Sequence, residues 1–358
     1  MLYEILKAGI NAVASYLSEH VLTCLVPAFF IAGAIAAFIS KESVLKYFGK
    51  KTKKYLSYSV ASVSGAILAV CSCTILPIFS GVYKKGGGIG PAVAFLYSGP
   101  AINVLAIVLT ARILGLTIGI ARAISAISMA ILIGLIMATI FRKQDEENLN
   151  NQIEFKKNEK KKWDKIFVFI SLVLVLVIAT LPINWNIKFP FIYLLTILIS
   201  YTLIFYYEKE EIKNWGYETW WLFKKIFPVL VGGVFIVGII GGIASQYTGH
   251  SPDIAVGAMV KNYIGGNNIS SCFIASIIGA LLYMPTLLEV PVVNDLFGYS
   301  SGLMGNGPAL ALLLAGPSVS LPSMVVLSRI IGIKKTAVYI FLVVILSTLI
   351  GYIFGVVA

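Results

Sequence analysis

The sequence predicts an all-α polytopic membrane protein, with about eight transmembrane helices plus two re-entrant hairpins in two inverted repeats. Three observations lead to this fold class: the composition, a series of long apolar segments and an internal repeat. Of the 358 residues, 58% are hydrophobic and only 12% are charged. A soluble domain of this size does not have such a composition, so we expect the chain to lie in a lipid bilayer.

The apolar segments recur along the whole chain. A bilayer-spanning helix needs roughly 20 predominantly apolar residues, and runs of about this length predict about eight spans. These predicted spans cover residues 21–39, 91–109, 114–141, 166–181, 191–206, 226–244, 308–327 and 336–357.

The basic residues indicate orientation. The net charge is +12, but Lys and Arg are concentrated in the short segments 41–54, 142–165, 209–225 and 329–335, between apolar runs. Basic loops of membrane proteins remain in the cytoplasm. We therefore expect all four segments on the cytoplasmic side and no nucleic acid partner.

Two apolar segments do not fit a single crossing. If residues 55–85 crossed the membrane once, the basic segments 41–54 and 142–165 would lie on opposite sides, so we predict a re-entrant hairpin. Residues 270–299 are predicted to form a second hairpin from the outer side, because their flanks contain almost no Lys or Arg. Irregular backbone at this depth must be buried in protein or line a wet cavity.

An internal repeat supports this arrangement. Residues 90–115 align without gaps on residues 307–332, with 11 of 26 positions identical. The first helix of one repeat is predicted to start outside and that of the other inside, so the repeats are expected to be inverted. The predicted organisation is a first repeat over 1–141, a cytoplasmic charged linker over 142–165, connector helices over 166–221 and a second inverted repeat over 222–358.

Each repeat contains a Gly-Pro pair inside an apolar helix. Gly99-Pro100 and Gly316-Pro317 lie roughly 10 residues into their helices, or about 15 Å at 1.5 Å per residue, and are predicted to break both helices near the bilayer centre. Asn103 follows the first pair and is expected to cap the broken backbone or contact substrate. Inverted repeats with broken helices are typical of secondary transporters, which bind substrate at the repeat interface.

The sharpest chemical feature is Cys71, Ser72 and Cys73 within the first hairpin. Two thiols separated by one residue can converge on one soft, thiophilic centre, although free cysteine also packs as a small buried hydrophobe. The four cysteines of the chain are too scattered to form a metal cluster. No metal and no cofactor are expected.

Two ionisable residues lie inside predicted membrane segments. Glu289 belongs to the second hairpin and Arg122 lies about nine residues into its span. Ionisable groups at this depth are functional candidates. Glu289 could carry the proton of a proton-coupled exporter, or it could be a fixed countercharge to Arg122, and the sequence favours neither.

A series of motifs begins at Cys71 and continues through GVYKKGGGIGPA, FLYSGPAIN and RILG. The second half of the chain echoes it with EVP and GPALALLLAGPS. Together these motifs resemble the ArsP-type predicted permeases, the family that includes YraQ. The resemblance covers nearly the whole chain. It implies a membrane carrier whose characterised members export trivalent organoarsenicals such as methylarsenite. By this resemblance the cysteine motif of the family falls on Cys71 and Cys73, the Gly-Pro break on Gly99 and Pro100, and the acidic position on Glu289.

The expected function is therefore a secondary exporter of small thiophilic solutes, and not an enzyme. A carrier for a sulfur-containing metabolite and a thiol-dependent membrane oxidoreductase are the alternatives. The expected partners are a small-molecule substrate, with a trivalent arsenical as the candidate, and membrane lipid; a homo-oligomer is left open. The expected location is a prokaryotic cell membrane.

Overall fold

The computed structural model describes residues 2–18, 26–38, 53–68, 72–84, 86–142, 162–180, 185–249, 263–282 and 289–358. Cys71 and most of the linker 142–165 lie outside these ranges. Within them every regular element is helical. In chain order the helices are α1 (Leu2–Tyr16), α2 (Val26–Phe38), α3 (Lys54–Leu68), α4 (Ser72–Lys84), α5 (Ile89–Ala101), α6 (Val104–Ile113), α7 (Leu116–Ile140), α8 (Lys162–Thr180), α9 (Trp185–Tyr206), α10 (Lys209–Thr248), α11 (Ile269–Leu281), α12 (Asn306–Ala315), α13 (Leu321–Ile331) and α14 (Ile333–Val357), with a helical turn Glu289–Pro291 and a π-helical segment Val292–Leu296 between α11 and α12.

The predicted fold class, an all-α polytopic membrane protein, is confirmed. Four described helices, α7, α9, α10 and α14, are long and apolar enough to cross a membrane. The pair α5 and α6 is bent by 45° at its break and makes a fifth span if it is counted as one. The predicted span 166–181 corresponds to a shorter apolar helix, α8, and the predicted span 308–327 to two, α12 and α13. Helix α11, in the predicted second hairpin, is also a short apolar helix. The re-entrant course of the hairpins and the inverted orientation of the repeats stay predictions.

Helix α10 is a single helix of 40 residues. Its first turn is closed by a capping box between Glu208 and Glu211, and it ends at Gly249 in the left-handed conformation (φ 71°). At 1.5 Å per residue it is about 60 Å long, about twice the hydrocarbon thickness of a bilayer. The expected boundary between connector and second repeat, at 221/222, falls inside this helix.

Helix α10 packs closely on two neighbouring helices. Its apolar half packs antiparallel to α1, where a Cβ on Gly238 would lie 2.6 Å from the Cβ of Ala12. Its polar half packs on α2, where the indole of Trp215 donates to the carbonyl of Phe30 (3.0 Å). Small residues at such contacts allow the close backbone approach by which membrane helices associate.

The two halves of the chain contain the same helix contact at equivalent positions. In the first half, α5 packs on α7 through Gly90 and Gly134, and a Cβ on Gly134 would lie 2.7 Å from the Gly90 carbonyl oxygen. In the second half, α12 packs on α14 through Gly307 and Gly351, and a Cβ on Gly351 would lie 2.6 Å from the Gly307 carbonyl oxygen. The register of the sequence repeat therefore extends through the last helix of each half.

One end of the bundle carries charged and aromatic contacts. Lys84, at the end of α4, pairs with Glu218 of α10 and lies 4.2 Å from the ring centroid of Trp221. Lys335, at the start of α14, donates to the hydroxyl of Tyr83 (3.0 Å). Glu218 and Trp221 belong to the basic segment 209–225 and Lys335 belongs to the basic segment 329–335. These two segments therefore lie at the same end of the molecule.

Candidate functional site at the helix breaks

Both Gly-Pro pairs lie at helix breaks, but in different positions. Helix α5 continues through Gly99 and Pro100 to Ala101, and its last turn is closed by the amide of Ile102, which donates to the Ser98 carbonyl (2.9 Å). The break therefore lies two residues beyond the predicted pair. A proline in the last turn removes only its own N–H, and the chain completes that turn before it bends. In the second half, α12 ends at Ala315, so Gly316 and Pro317 lie within the break itself.

Asn103 begins the next helix after the first break. Its backbone carbonyl accepts from the amide of Ile107 (3.0 Å), and the residue is buried. This position agrees with a helix-starting role. Contact of Asn103 with substrate stays a prediction.

A tyrosine joins the two broken helices. The hydroxyl of Tyr97, on α5, donates to the carbonyl of Leu314, on α12 (3.1 Å). These two residues occupy equivalent positions of the aligned repeat, so the contact lies where the two halves meet. Tyr97 is fully buried, and the sulfur of Met129 is a second neighbour of its hydroxyl (3.3 Å).

A buried ion pair lies beside this junction. Nη2 of Arg122, on α7, is 3.1 Å from Oε2 of Glu289 in the second hairpin. Nη1 of Arg122 donates to Oγ1 of Thr110, on α6 (2.8 Å). Arg122 is 0% and Glu289 is 1% exposed. Breaking such a pair by removing one partner leaves an uncompensated buried charge, which typically costs about 3–5 kcal/mol.

The ion pair leaves two polar atoms unused. Nε of Arg122 and Oε1 of Glu289 are buried and have no hydrogen-bond partner. Oε1 faces Gly316 in the second helix break, where a Cβ would overlap with it. Gly316 therefore allows the hairpin carboxylate to approach the broken helix. A carboxylate can accept several hydrogen bonds, so this one has remaining capacity at the junction.

The equivalent position in the other half is a small cavity, here called the Tyr339 cavity. In the register of the repeat, Tyr339 and Leu327 correspond to Arg122 and Thr110. The cavity is enclosed by these two residues together with Leu76 of the first hairpin and the hydroxyl-bearing Ser318 and Ser323. None of its lining residues is Asp, Glu, Lys, Arg or His.

Hydrogen bonds of the cavity hydroxyls are long or local. The Tyr339 hydroxyl donates to the Ser318 carbonyl (3.3 Å), and Oγ of Ser318 is 3.5 Å from the Tyr97 carbonyl. Ser323 shares a short hydrogen bond with Ser320. A hydroxyl has one donor and two acceptor positions, so these groups keep capacity for a further partner.

Only part of the cysteine motif lies within the described residues. Ser72 and Cys73 lie in the first turn of α4, and Cys71 lies outside the described residues. Cys272 is a free, buried thiol in the second half. The binding of cargo by Cys71 and Cys73 stays a prediction. Among the described residues no cluster of three or more His, Cys, Asp or Glu could hold a metal ion.

Sequence reasoning missed Tyr97, Thr110, Ser318, Ser323 and Tyr339 as members of this region. Their common signal is a polar side chain in an apolar helix close to a break. Ser and Thr are frequent in membrane helices as packing residues, so this signal alone does not separate them from other hydroxyl residues of the chain.

Broken helices that meet at a buried ion pair, within a polytopic helical fold, are features of membrane transport proteins. Comparison with known sequences agrees with this class. The chain belongs to the ArsP_1 family of predicted permeases, which it matches over residues 7–356. The structure and the family together define a multi-pass membrane permease.

Two relatives support the family assignment. The chain is 42% identical over 367 aligned positions to the UPF0718 protein MJ0584 of Methanocaldococcus jannaschii, covering 99% of this chain and 97% of that protein. It is 24% identical over 260 positions to the UPF0718 protein YraQ of Escherichia coli, covering 73% of this chain and 56% of that protein. No solved structure matches the chain.

Proposed function

We propose that this permease is a secondary exporter of small thiophilic solutes such as trivalent organoarsenicals, which bind the thiols of Cys71 and Cys73. The observation that carries the transport part is the Arg122–Glu289 pair, which joins the two halves beside the second helix break. A carrier alternates by moving one half against the other around a central site. A contact of this kind, between the halves and at their centre, would have to change during that movement.

The chemistry of the cargo follows from the two thiols. Methylarsenite in its neutral form has one methyl group and two hydroxyl groups on trivalent arsenic. Each thiol replaces one hydroxyl: an As–S bond forms, an As–O bond breaks, and the thiol proton leaves with the hydroxide as water. Two thiols therefore release two water molecules without oxidation or reduction. The reverse hydrolysis releases the cargo.

The proposal is tested by uptake of methylarsenite into everted membrane vesicles. We expect accumulation with the unchanged protein and its loss in Cys71→Ser/Cys73→Ser at equal expression. The matched control is Cys272→Ala, which removes a buried thiol of the second half and should keep transport. Absence of accumulation with the unchanged protein would sink the arsenical cargo. A chemically altered but unmoved arsenical would instead favour a thiol-dependent oxidoreductase.

Glu289 is proposed to carry the coupling proton. Protonation of its carboxylate would remove the countercharge of Arg122 and release the contact between the halves. Glu289→Gln keeps the shape but cannot exchange a proton, so we expect vesicles with this variant to lose accumulation driven by a pH gradient and to retain exchange of methylarsenite across the membrane. Equal loss of both would contradict proton coupling and assign Glu289 to structure alone.

The same proposal places the basic segments in the cytoplasm of a prokaryotic cell. The contacts of Lys84 with Glu218 and of Lys335 with Tyr83 lie at one end of the bundle, which supports a common side for these segments. A cysteine-accessibility experiment on residues 209–225 and 329–335 in intact cells should find both segments protected from an impermeant thiol reagent.

A further inference from the structure

We infer that Asn268, in the loop before α11, is a site of N-linked glycosylation on the outer surface of the membrane. Asn268, Ile269 and Ser270 form the sequence Asn-X-Ser, in which X is not proline. This sequence is the acceptor of N-linked glycan in exposed loops of extracellular chain segments. The chain contains no second Asn-X-Ser or Asn-X-Thr sequence. The site is independent of the cargo and of the cysteine motif.

The structure places the Asn268 loop and Lys335 at opposite ends of α14, a helix long and apolar enough to span the membrane. Lys335 lies in its first turn, and a Cβ on Gly355, in its last turn, would lie 3.0 Å from Cγ of Asn267. The rise from Lys335 to Gly355 is about 30 Å at 1.5 Å per residue, which is the hydrocarbon thickness of a bilayer. Since Asn268 follows Asn267 directly, it lies at the opposite face of the membrane from Lys335.

The Lys335 end of the molecule carries basic segments. Nζ of Lys335 lies 5.8 Å from the ring centroid of Phe141, which directly precedes the charged linker 142–165, and Lys335 itself belongs to the basic segment 329–335. Residues 226–328, by contrast, contain a single Lys, Lys261, and no Arg. Because basic segments remain on the cytoplasmic side, Asn268 lies on the outer side.

The side chain of Asn268 is exposed and is held in a defined orientation. Its Oδ1 accepts from the hydroxyl of Ser270 (2.9 Å) and from the amide of Ser271 (2.8 Å). Both bonds use the oxygen, so Nδ2, the atom that receives the sugar, has no hydrogen-bond partner among the described residues. A glycan on Nδ2 leaves Oδ1 free to accept the same two bonds, so the modification is compatible with the N-terminal cap of α11.

The neighbouring Asn267 provides a contrast within the same loop. Its Oδ1 accepts from the amide of Gly307 on α12 (3.0 Å), and its carboxamide lies against Gly355 on α14. The second residue after it is Ile269, which has no hydroxyl group. Of the two adjacent asparagines, Asn267 therefore joins helices, and Asn268 presents its amide nitrogen to the outside.

The modification joins the first sugar of an oligosaccharide to Nδ2 of Asn268. The donor is an oligosaccharide linked through phosphate to a membrane lipid, and the partner is a membrane-bound oligosaccharyltransferase. The bond between Nδ2 and sugar carbon C1 forms, the bond between C1 and the phosphate oxygen breaks, and one Nδ2 proton goes to the released lipid phosphate. Nothing is oxidised or reduced. The glycan is bulky and polar, so it keeps the loop before α11 at the outer surface.

The first test is peptide mass spectrometry of the full-length protein purified from its own cells. We expect the peptide that contains Asn268 to carry the mass of a glycan. Ile269→Pro should remove this mass, because proline at the middle position abolishes the acceptor sequence. Ser270→Ala should also remove it, since the hydroxyl is lost, whereas Ser270→Thr is the matched control and should keep the glycan.

Ile269→Pro is suited to the fold. Ile269 is the first residue of α11 and is 52% exposed, and proline is favoured at the first position of a helix. Asn268 already has the extended backbone (φ −87°, ψ 163°) that a following proline requires. The variant should therefore keep the Tm of the protein from which the glycan has been removed enzymatically.

Two results of the first test would overturn the inference. One is an Asn268 peptide of unmodified mass in the unchanged protein. The other is an added mass that survives Ile269→Pro, which would assign the sugar to a serine hydroxyl. Loss of the mass in both Ile269→Pro and Ser270→Ala, with its retention in Ser270→Thr, supports the site.

The second test examines the side of the membrane and does not depend on the transferase. Asn268→Cys should react with an impermeant thiol reagent in intact cells. Lys334→Cys, at an exposed position near the other end of α14, should be protected. Peptide mass spectrometry separates both positions from the native cysteines. Protection of Asn268→Cys, or labelling of Lys334→Cys, would contradict an outer location of the loop and overturn the inference.

Discussion

The Arg122 site and the Tyr339 cavity are the same place in the two halves of the chain, occupied in different ways. Each is formed by the hairpin of one half against the second broken-helix segment and last helix of the other. In the register of the repeat, Thr110 and Arg122 have the counterparts Leu327 and Tyr339. Gly65 and Pro77 of the first hairpin have the same spacing as Gly279 and Pro291 of the second, and this spacing makes Ile75 the counterpart of Glu289. The first site is filled by a buried ion pair, whereas the second leaves a small cavity lined by apolar and hydroxyl groups.

This difference shows how a repeated fold can hold different side chains at two equivalent positions of one interface. The duplicated backbone supplies two equivalent positions between the halves. Charges at one position give a contact that depends on protonation and on the relative position of the halves, because a buried charge without its partner is costly. Neutral residues at the other position leave space.

The largest expected effect comes from breaking the ion pair from one side. Arg122→Tyr and Glu289→Ile should each lower the free energy of unfolding by about 3–5 kcal/mol, because each leaves one buried charge uncompensated. The double variant Arg122→Tyr/Glu289→Ile gives the first site the residues of its counterpart and should recover most of the loss. Thermal unfolding in detergent measures all three.

The same set of variants separates stability from function. If the charges control movement, the double variant should fold with near-normal Tm and still fail to accumulate methylarsenite in vesicles. Losses in the two single variants that simply add up in the double variant would show that Arg122 and Glu289 do not act as a pair. Normal transport by the stable double variant would remove the control function from this site.

A second, smaller effect should be equal in the two halves. Gly134→Ala and Gly351→Ala place a Cβ at 2.7 Å and 2.6 Å from a backbone carbonyl oxygen of the neighbouring helix, so the helices must separate. Forcing extra atoms into a packed contact costs about 1–3 kcal/mol. Gly232→Ala on α10 is the matched control, because a Cβ there meets nothing within 4 Å.

Similar decreases in Tm for Gly134→Ala and Gly351→Ala, with no decrease for Gly232→Ala, would show that the backbone of the two halves is equivalent and that only the side chains of the two sites differ. A large effect in one half alone would instead indicate that the halves also differ in how tightly their helices pack.

Much of this architecture follows from apolar periodicity and from the repeat. The helix breaks could be predicted from the sequence because Gly-Pro pairs recur at matched positions. The register of the repeat likewise links Gly134 with Gly351. Arg122 and Glu289 could be considered as partners, because an isolated charge at membrane depth is costly, and the structure places them 3.1 Å apart.

Other features depend on packing and could not be predicted from the sequence. The end of α5 lies beyond Pro100, since a proline near a helix end allows the last turn to close. Helix α10 crosses an expected boundary because its polar half is held against α2 by Trp215. The hydroxyl groups of Ser318, Ser323 and Tyr339 form one lining only because α13, α14 and the first hairpin meet, which no local pattern in their sequences indicates.

The smallest expected effect concerns the tyrosine between the two sites. Tyr97→Phe removes the hydroxyl that donates to the Leu314 carbonyl (3.1 Å) and leaves that carbonyl without this donor, which should cost about 1–3 kcal/mol. The matched control, Tyr193→Phe on the exposed surface of α9, should stay within about 0.5 kcal/mol of the unchanged protein.

Because Tyr97 and Leu314 are equivalent positions of the repeat, their hydrogen bond lies at the junction between the halves and breaks if the halves move apart there. If the bond is kept throughout the transport cycle, Tyr97→Phe lowers Tm and leaves the transport rate unchanged. If it breaks during the cycle, the variant also shifts the balance between conformations, and the rate of methylarsenite exchange changes together with Tm.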